Sequence, residues 1–345
     1  MSRRGWVLFA AMSAIWGIPY LLIRVAVRDL DPGMLVFART AIGALVLVPV
    51  AVARDELRPV LPRWRIIVVY TVVELAVPWL LLSDAERRLT SSLSGLIVAA
   101  VPLVVAAMVV VHRRTAGTRR TAGARRTAGT RRTAGARRRN TTVAAAPATL
   151  TVSGPATDRM GAAALAGLVI GLAGVGAVLG LDQHGGDARS LAELGVVVVG
   201  YALGPMIAAR RLADLPSLGV VATSLALCAL GYLPVAATEI PRRAPSATAL
   251  ASVVVLGVVC TAVAFVLFFA LIAETGPTRA TLITYVNPAV AVVLGVAFLG
   301  EGFGAGAGIG FVLILAGCWL ATRHARAPAL SWPAAMRLRR RPTTR

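Results

Sequence analysis

The sequence predicts an all-α polytopic membrane protein with ten transmembrane helices in two inverted five-helix repeats. Three observations carry this reading. The 345 residues are 57% hydrophobic with a mean hydropathy of +0.78, more apolar than a soluble domain sustains. The apolar residues gather into ten stretches. Each approaches the about 20 residues that a helix rising 1.5 Å per residue needs to cross a hydrocarbon core about 30 Å thick. Finally, the chain repeats itself. Trp16-Gly17-Ile18-Pro19-Tyr20, continuing through Arg24 and Arg28 to Asp31-Pro32, returns as Tyr201-Ala202-Leu203-Gly204-Pro205, through Arg210-Arg211 to Asp214-Leu215-Pro216. Ala85-Glu86, Thr90 and Pro102 are echoed by Ala273-Glu274, Thr278 and Pro288, and the spacing Gly167 to Gly174 by Gly310 to Gly317.

Taken in order, the span 5–24 follows the basic flank Ser2-Arg3-Arg4, which lacks a small-x-small cleavage site and reads as a flank rather than an export signal. The span 33–53 opens after Asp31-Pro32, with proline where a helix tolerates its missing N–H. The short third span, 66–83, follows Arg63 and Arg65, and the fourth, 91–111, starts after Thr90. The fifth, 159–181, is glycine-rich. A polar loop, Asp182 to Asp187, divides it from 191–209, which carries Gly204-Pro205. The spans 216–236, 248–272, 279–299 and the glycine-rich 305–322 complete the set. The repeats are then 1–181 and 191–323. Five is odd, so the second repeat enters the membrane in the opposite orientation to the first.

The chain has 36 basic residues, all of them Arg. With the N-terminus in the cytoplasm, Arg3, Arg4, Arg54, Arg58, Arg63, Arg65, Arg210, Arg211 and the basic tail 324–345 fall inside. Arg24, Arg28, Arg87, Arg88, Arg189, Arg242 and Arg243 fall outside. The inside excess, which the Arg-rich insertion enlarges, follows the positive-inside rule and expects a multi-pass protein of the cytoplasmic membrane with both termini cytoplasmic.

The first repeat carries the insertion 112–158. Its core, Thr115 to Arg139, repeats TAG(T/A)RR with no large apolar residue and is expected to be disordered. It reads as an inert cytosolic loop or as one that holds anionic lipid heads; nucleic acid is the weakest of its readings. The tail from Trp332 to Arg341 mixes apolar and cationic residues and is expected to rest on the inner membrane surface. Cys228, Cys260 and Cys318 lie in apolar spans without pairing or metal-ligand spacing, so they read as packing residues and no metal is expected.

Polar residues inside the spans carry the functional reading. An Arg at mid-membrane costs about 2.5 to 3.5 kcal/mol on insertion scales, so Arg39 and Glu74 should face a wet cavity or a partner. Counting from span ends puts Arg39 about 10 Å below the outer surface and Glu74 about 12 Å above the inner one, about 8 Å apart along the membrane normal. Either they form a substrate or proton site, or they are a structural ion pair. Trp16 and Tyr201 occupy matched midplane positions, where aromatics stack on a substrate or pack helices. In Tyr285-Val286-Asn287-Pro288 the proline frees a backbone acceptor that Asn287 or a ligand can use. Glu301, at a helix end, reads as structural.

Trp16-Gly17 with Phe37-Ala38-Arg39, then Gly257 to Phe265, Gly276 to Ala280, Tyr285 to Pro288, Leu299-Gly300-Glu301, Gly308-Ile309-Gly310 and Ala316-Gly317, resemble the EamA-type transporters of the drug/metabolite transporter superfamily. The resemblance covers both halves apart from the insertion, the second half more closely. It implies ten helices in two inverted repeats, no prosthetic group or other cofactor, and passage of a small-molecule substrate across the bilayer, often as efflux; a homodimer is compatible with it. An intramembrane enzyme would need a nucleophile with its base or a metal cluster. His112, His184 and His324 all fall outside the apolar spans, so no enzyme is expected. A receptor or scaffold acting through the Arg-rich loop is the alternative.

Overall fold

The structure, a computed structural model, describes residues 1–108, 156–180, 187–276, 280, 282–302 and 304–322. Most of the insertion 112–158, with its Arg repeat, residues 182–186 of the polar loop, the tail 324–345 and the three histidines lie outside the described residues.

Every regular element among the described residues is helical. Helix α1 (Arg3–Ala26) starts where the Ser2 hydroxyl accepts the Gly5 amide at 2.9 Å, satisfying one of the donors a helix start leaves open. Helix α2 (Pro32–Ala53) has proline at its start, and the free amide of Met34 donates to Glu239 instead. Helix α3 (Leu61–Ala85) widens into a π-turn at Val72–Ala76. That bulge precedes Pro78, whose ring would crowd the carbonyl of Glu74 in a regular turn. Helix α4 (Ser91–Met108) is capped by Thr90 and loosens at Ala99 and Ala100, ahead of Pro102. Helix α5 is Ala156–Gly180, α6 (Ala188–Leu212) ends in a π-turn past Pro205, and α7 is Ser217–Thr238. Helix α8 (Ala247–Thr275) is capped by Ser246 and contains a π-turn at Val258–Val263. Helix α9 (Ile283–Leu299) stops at Gly300, whose φ of +63° ends it in the left-handed region, and α10 is Ala305–Thr322.

Seven of these helices, α1 to α4 and α6 to α8, are long and apolar enough to cross a bilayer; Leu165–Val178, Ile283–Leu299 and Ala305–Leu320 are shorter apolar stretches. The protein is a multi-pass membrane protein.

Three pairs of helices in matching positions of the two halves pack against each other, and they run antiparallel. Helix α5 crosses α10 through glycines: a Cβ at Gly174 would lie 2.8 Å from the Gly310 carbonyl, and one at Gly317 would lie 2.6 Å from that of Gly167. No side chain larger than hydrogen fits between these backbones, so the repeated glycine spacing marks the crossing. Helix α2 meets α7 with Gly33 beside Glu239 at one end and Gly219 beside Glu56 at the other. Helix α4 meets α9 with Gly95 against Ala291 and Gly295 against Ser91 and Ser92. Helix α1 packs on α8 and α9, as α6 packs on α3 and α4. Exchange of equivalent partners with reversed direction is what a two-fold axis in the membrane plane produces.

Polar ties at the helix ends fall on two faces. On the face expected outside, Glu301 accepts from the amides and hydroxyls of Ser91 and Ser92, Glu239 from Met34, and Asp29 from Ser246. On the opposite face, Arg63 grips Asp214 with two bonds of 2.5 and 2.6 Å, and Ser2 donates to Glu274.

Candidate functional site

Arg39, on α2, points into the junction of α2, α3 and α8 and is 7% exposed. Its Nε donates to Thr261 Oγ1 at 3.1 Å, and its guanidinium carbon lies 3.7 Å above the centroid of the Trp79 ring. Both partners owe their positions to local backbone features. Thr261 lies in the α8 π-turn and donates its own hydroxyl to the Leu256 carbonyl at 2.8 Å, five residues back, which leaves its lone pairs for Arg39. Trp79 follows Pro78 directly after the α3 π-turn. The approach of α8 to α2 needs Gly257, where a Cβ would lie 2.6 Å from Ile42 Cβ and 3.1 Å from the Arg39 carbonyl. The terminal nitrogens of Arg39 donate to no described residue, and no carboxylate pairs with it among the described residues. A guanidinium out of bulk water with donors to spare has the chemistry to take a planar or anionic partner, which its fork and flat face suit.

Tyr201 stands beside this junction, touching both of the large apolar clusters of the bundle. It lies within electrostatic reach of Arg39, Glu74 and Glu86. Tyr20, on α1, reaches the same Arg39 and Glu86 charges.

Glu74 sits in the α3 π-turn with its carboxyl pressed against α6. A Cβ at Gly204 would fall 1.7 Å from Glu74 Oε2, so the glycine is what admits the side chain. That oxygen is buried and has no hydrogen-bond partner among the described residues. Glu74 forms no ion pair with Arg39 among the described residues; the carboxyl in electrostatic reach of Arg39 is that of Glu86. Of the two readings, a direct ion pair is not formed among the described residues, and Arg39 and Glu74 are separate polar positions, both within electrostatic reach of Tyr201.

The other three candidates lie apart from Arg39. Trp16 joins an aromatic cluster between α1 and α8, 4.7 Å from the Phe268 ring and 6.1 Å from that of Phe265. Asn287, with its amide oriented to satisfy both polar atoms, donates to Ile283 O at 2.9 Å and across to Ser13 O of α1 at 3.2 Å. Tyr285 packs on the apolar cluster shared by α4 and α10.

Residues that sequence reasoning passed over complete the site. Thr261 lay in a quoted motif without a role, and Trp79 looked like one more apolar residue. Glu86 fell three residues beyond the expected third span and read as loop, yet it is 0% exposed. Its chain neighbours show where it lies: Leu82, Ala85 and Leu89 belong to one buried cluster with Ile23 of α1 and Leu194 of α6, and Arg24 of α1 donates to its backbone carbonyl. Beside that cluster, Arg88 and Arg189 link Asp84 of α3 to Glu193 of α6 through four contacts of 2.6 to 2.9 Å.

The EamA-like transporter family profile matches residues 3–123 and 194–323, two stretches that repeat the internal echo of the sequence. A solved crystal structure matches with TM-score 0.57 and 20% identity, covering 94% of this chain and 99% of its own; at that identity the likeness speaks for the fold alone. No curated protein matches the chain. With two matched stretches spanning most of its length, the chain belongs to the EamA-like transporter family.

Proposed function

We propose that this protein is a secondary transporter that exports a small metabolite or drug across the cytoplasmic membrane by alternating access, coupled to protons. Its ten spans form two inverted repeats, 1–181 and 191–323, with both termini cytoplasmic. The observation that carries the reading is Arg39, desolvated where helices of both halves meet and held by Thr261 and Trp79 with donors unused. Tyr201 offers an aromatic surface beside it, and Glu74, buried against Gly204, is the coupling carboxylate of this scheme. The asymmetry of the two faces supports a carrier caught in one state. Among the described residues, the ion pairs Arg88–Glu193 and Arg189–Asp84 tie the end of α3 to α6 on the expected outer face, whereas α8 and α1, the matching pair on the other face, share the Ser2–Glu274 hydrogen bond.

The test is efflux from reconstituted vesicles loaded with a metabolite panel, with and without an imposed proton gradient. Saturable efflux of one class, accelerated by the gradient and lost in Arg39→Ala, is expected. Equal efflux from wild-type and Arg39→Ala vesicles would remove Arg39 from the site.

A further inference from the structure

Among the described Asp, Glu and Arg residues, Glu86 is the most completely buried. The residue is 0% exposed, and neither Oε1 nor Oε2 has a hydrogen-bond partner among the described residues. The cation best placed to pair with it is engaged elsewhere: Arg24 Nη1 donates to the backbone carbonyl of Glu86 at 2.5 Å. Arg39 is held by Thr261 and Trp79. A carboxylate in such a place loses its hydration without replacement, whereas the neutral acid loses far less. Burial holds the Glu86 carboxyl well above the usual carboxylate range; Glu301 pushes the same way, and Arg24 and Arg39 oppose it. Tyr20 from α1 and Tyr201 from α6 are the remaining titratable groups in reach.

The second half supplies the comparison. Glu274, which follows Ala273 as Glu86 follows Ala85, is exposed at the other face and bonded to Ser2. One member of the pair is sealed and the other is wet, so exchange of the two faces by the inverted repeat would hydrate Glu86.

We propose that Glu86 is a proton-binding site whose occupancy holds the expected outer face shut. The acid is neutral while α1, α3 and α6 close over it, and on opening it releases its proton to the water that enters. This rests on the alternating-access reading, but its first test needs no transport. Infrared spectroscopy of the purified protein in nanodiscs at neutral pH should detect a protonated carboxyl whose signal is lost in Glu86→Gln and retained in Glu74→Gln. A signal unchanged in Glu86→Gln overturns the proposal and leaves the transport reading intact.

The second test labels Leu82→Cys, which lies in the sealed cluster, with an impermeant maleimide from outside, normalised to the exposed control Ala244→Cys. The normalised rate should rise with pH in the otherwise wild-type protein, stay low and flat with Glu86→Gln, and rise over a shifted range with Glu86→Asp, which keeps a titratable carboxyl. A flat profile in the wild-type background, or a rate set by sodium at fixed pH, overturns it.

Discussion

The guanidinium carbon of Arg39 lies over the indole of Trp79, 3.7 Å from its centroid, joining α2 to α3. The pair positions a charge that the membrane disfavours. Away from water such a contact contributes about 2 kcal/mol or more.

Trp79 should therefore matter for both stability and recognition. Trp79→Ala removes a large buried ring and the cation–π contact together, a loss of about 3 to 5 kcal/mol, and should lower the unfolding temperature in nanodiscs. Trp79→Phe retains a ring face and should recover most of that stability while raising KM for the transported substrate.

Gly204 and Glu74 form a coupled pair. Because a Cβ at position 204 would fall 1.7 Å from Glu74 Oε2, Gly204→Ala should reduce thermal stability and gradient-driven transport in the wild-type background. In a Glu74→Ala background the same change should cost less, because the carboxyl contact is gone and the Cβ of residue 74, 2.8 Å away, remains. A double-mutant cycle in melting temperature checks this, and additive effects would contradict the packing described. Glu74→Gln alone should keep substrate binding and lose gradient-driven transport.

Glu301 accepts four hydrogen bonds at the start of α4, two from amides and two from hydroxyls. It does the work of a cap from a different helix. Glu301→Ala should destabilise the protein by about 1.5 to 3 kcal/mol, the range for hydrogen bonds to a charged group, and speed amide exchange in the first turn of α4.

The Arg63–Asp214 pair should give stability a pH signature. The hydrogen bonds from Arg63 hold the exposed Asp214 carboxyl below the usual carboxylate range. Its folded value is below its unfolded one, so the contribution is full above the unfolded value of about 3.9 and disappears as pH falls through the folded one. Acid titration of the melting temperature should show a smaller fall below pH ~4 in Asp214→Asn than in the wild type.

Much of the fold was legible because the bilayer imposes a simple rule: apolar stretches of sufficient length, with basic loops between them, mark the helices. The internal echo went further, since the glycines of Gly167–Gly174 and Gly310–Gly317 are where α5 and α10 cross. Arg39 and Glu74 stood out as ionisable residues within spans, but their spacing along the membrane normal said nothing of azimuth, and azimuth decides that Glu74 faces Gly204. Glu86 was hidden for a different reason. Its burial comes from α1 and α6 closing over a helix end, which no local property of its own segment records. Trp79 was hidden because an aromatic in an apolar run has no contrast with its neighbours.

Alternating access requires the two faces to move reciprocally, and this can be measured without knowing the substrate. Spin labels at Arg87 and Ala188 report the gap between α3 and α6 on the expected outer face; labels at Arg4 and Ala273 report the gap between α1 and α8 on the other. Replacing Arg88 and Arg189 by Ala removes the Arg88–Glu193 and Arg189–Asp84 ion pairs that tie the end of α3 to α6. Electron–electron distance measurements in nanodiscs should then show the outer distance lengthening and the inner distance shortening together. An outer distance that lengthens while the inner one stays fixed would contradict alternating access in this protein.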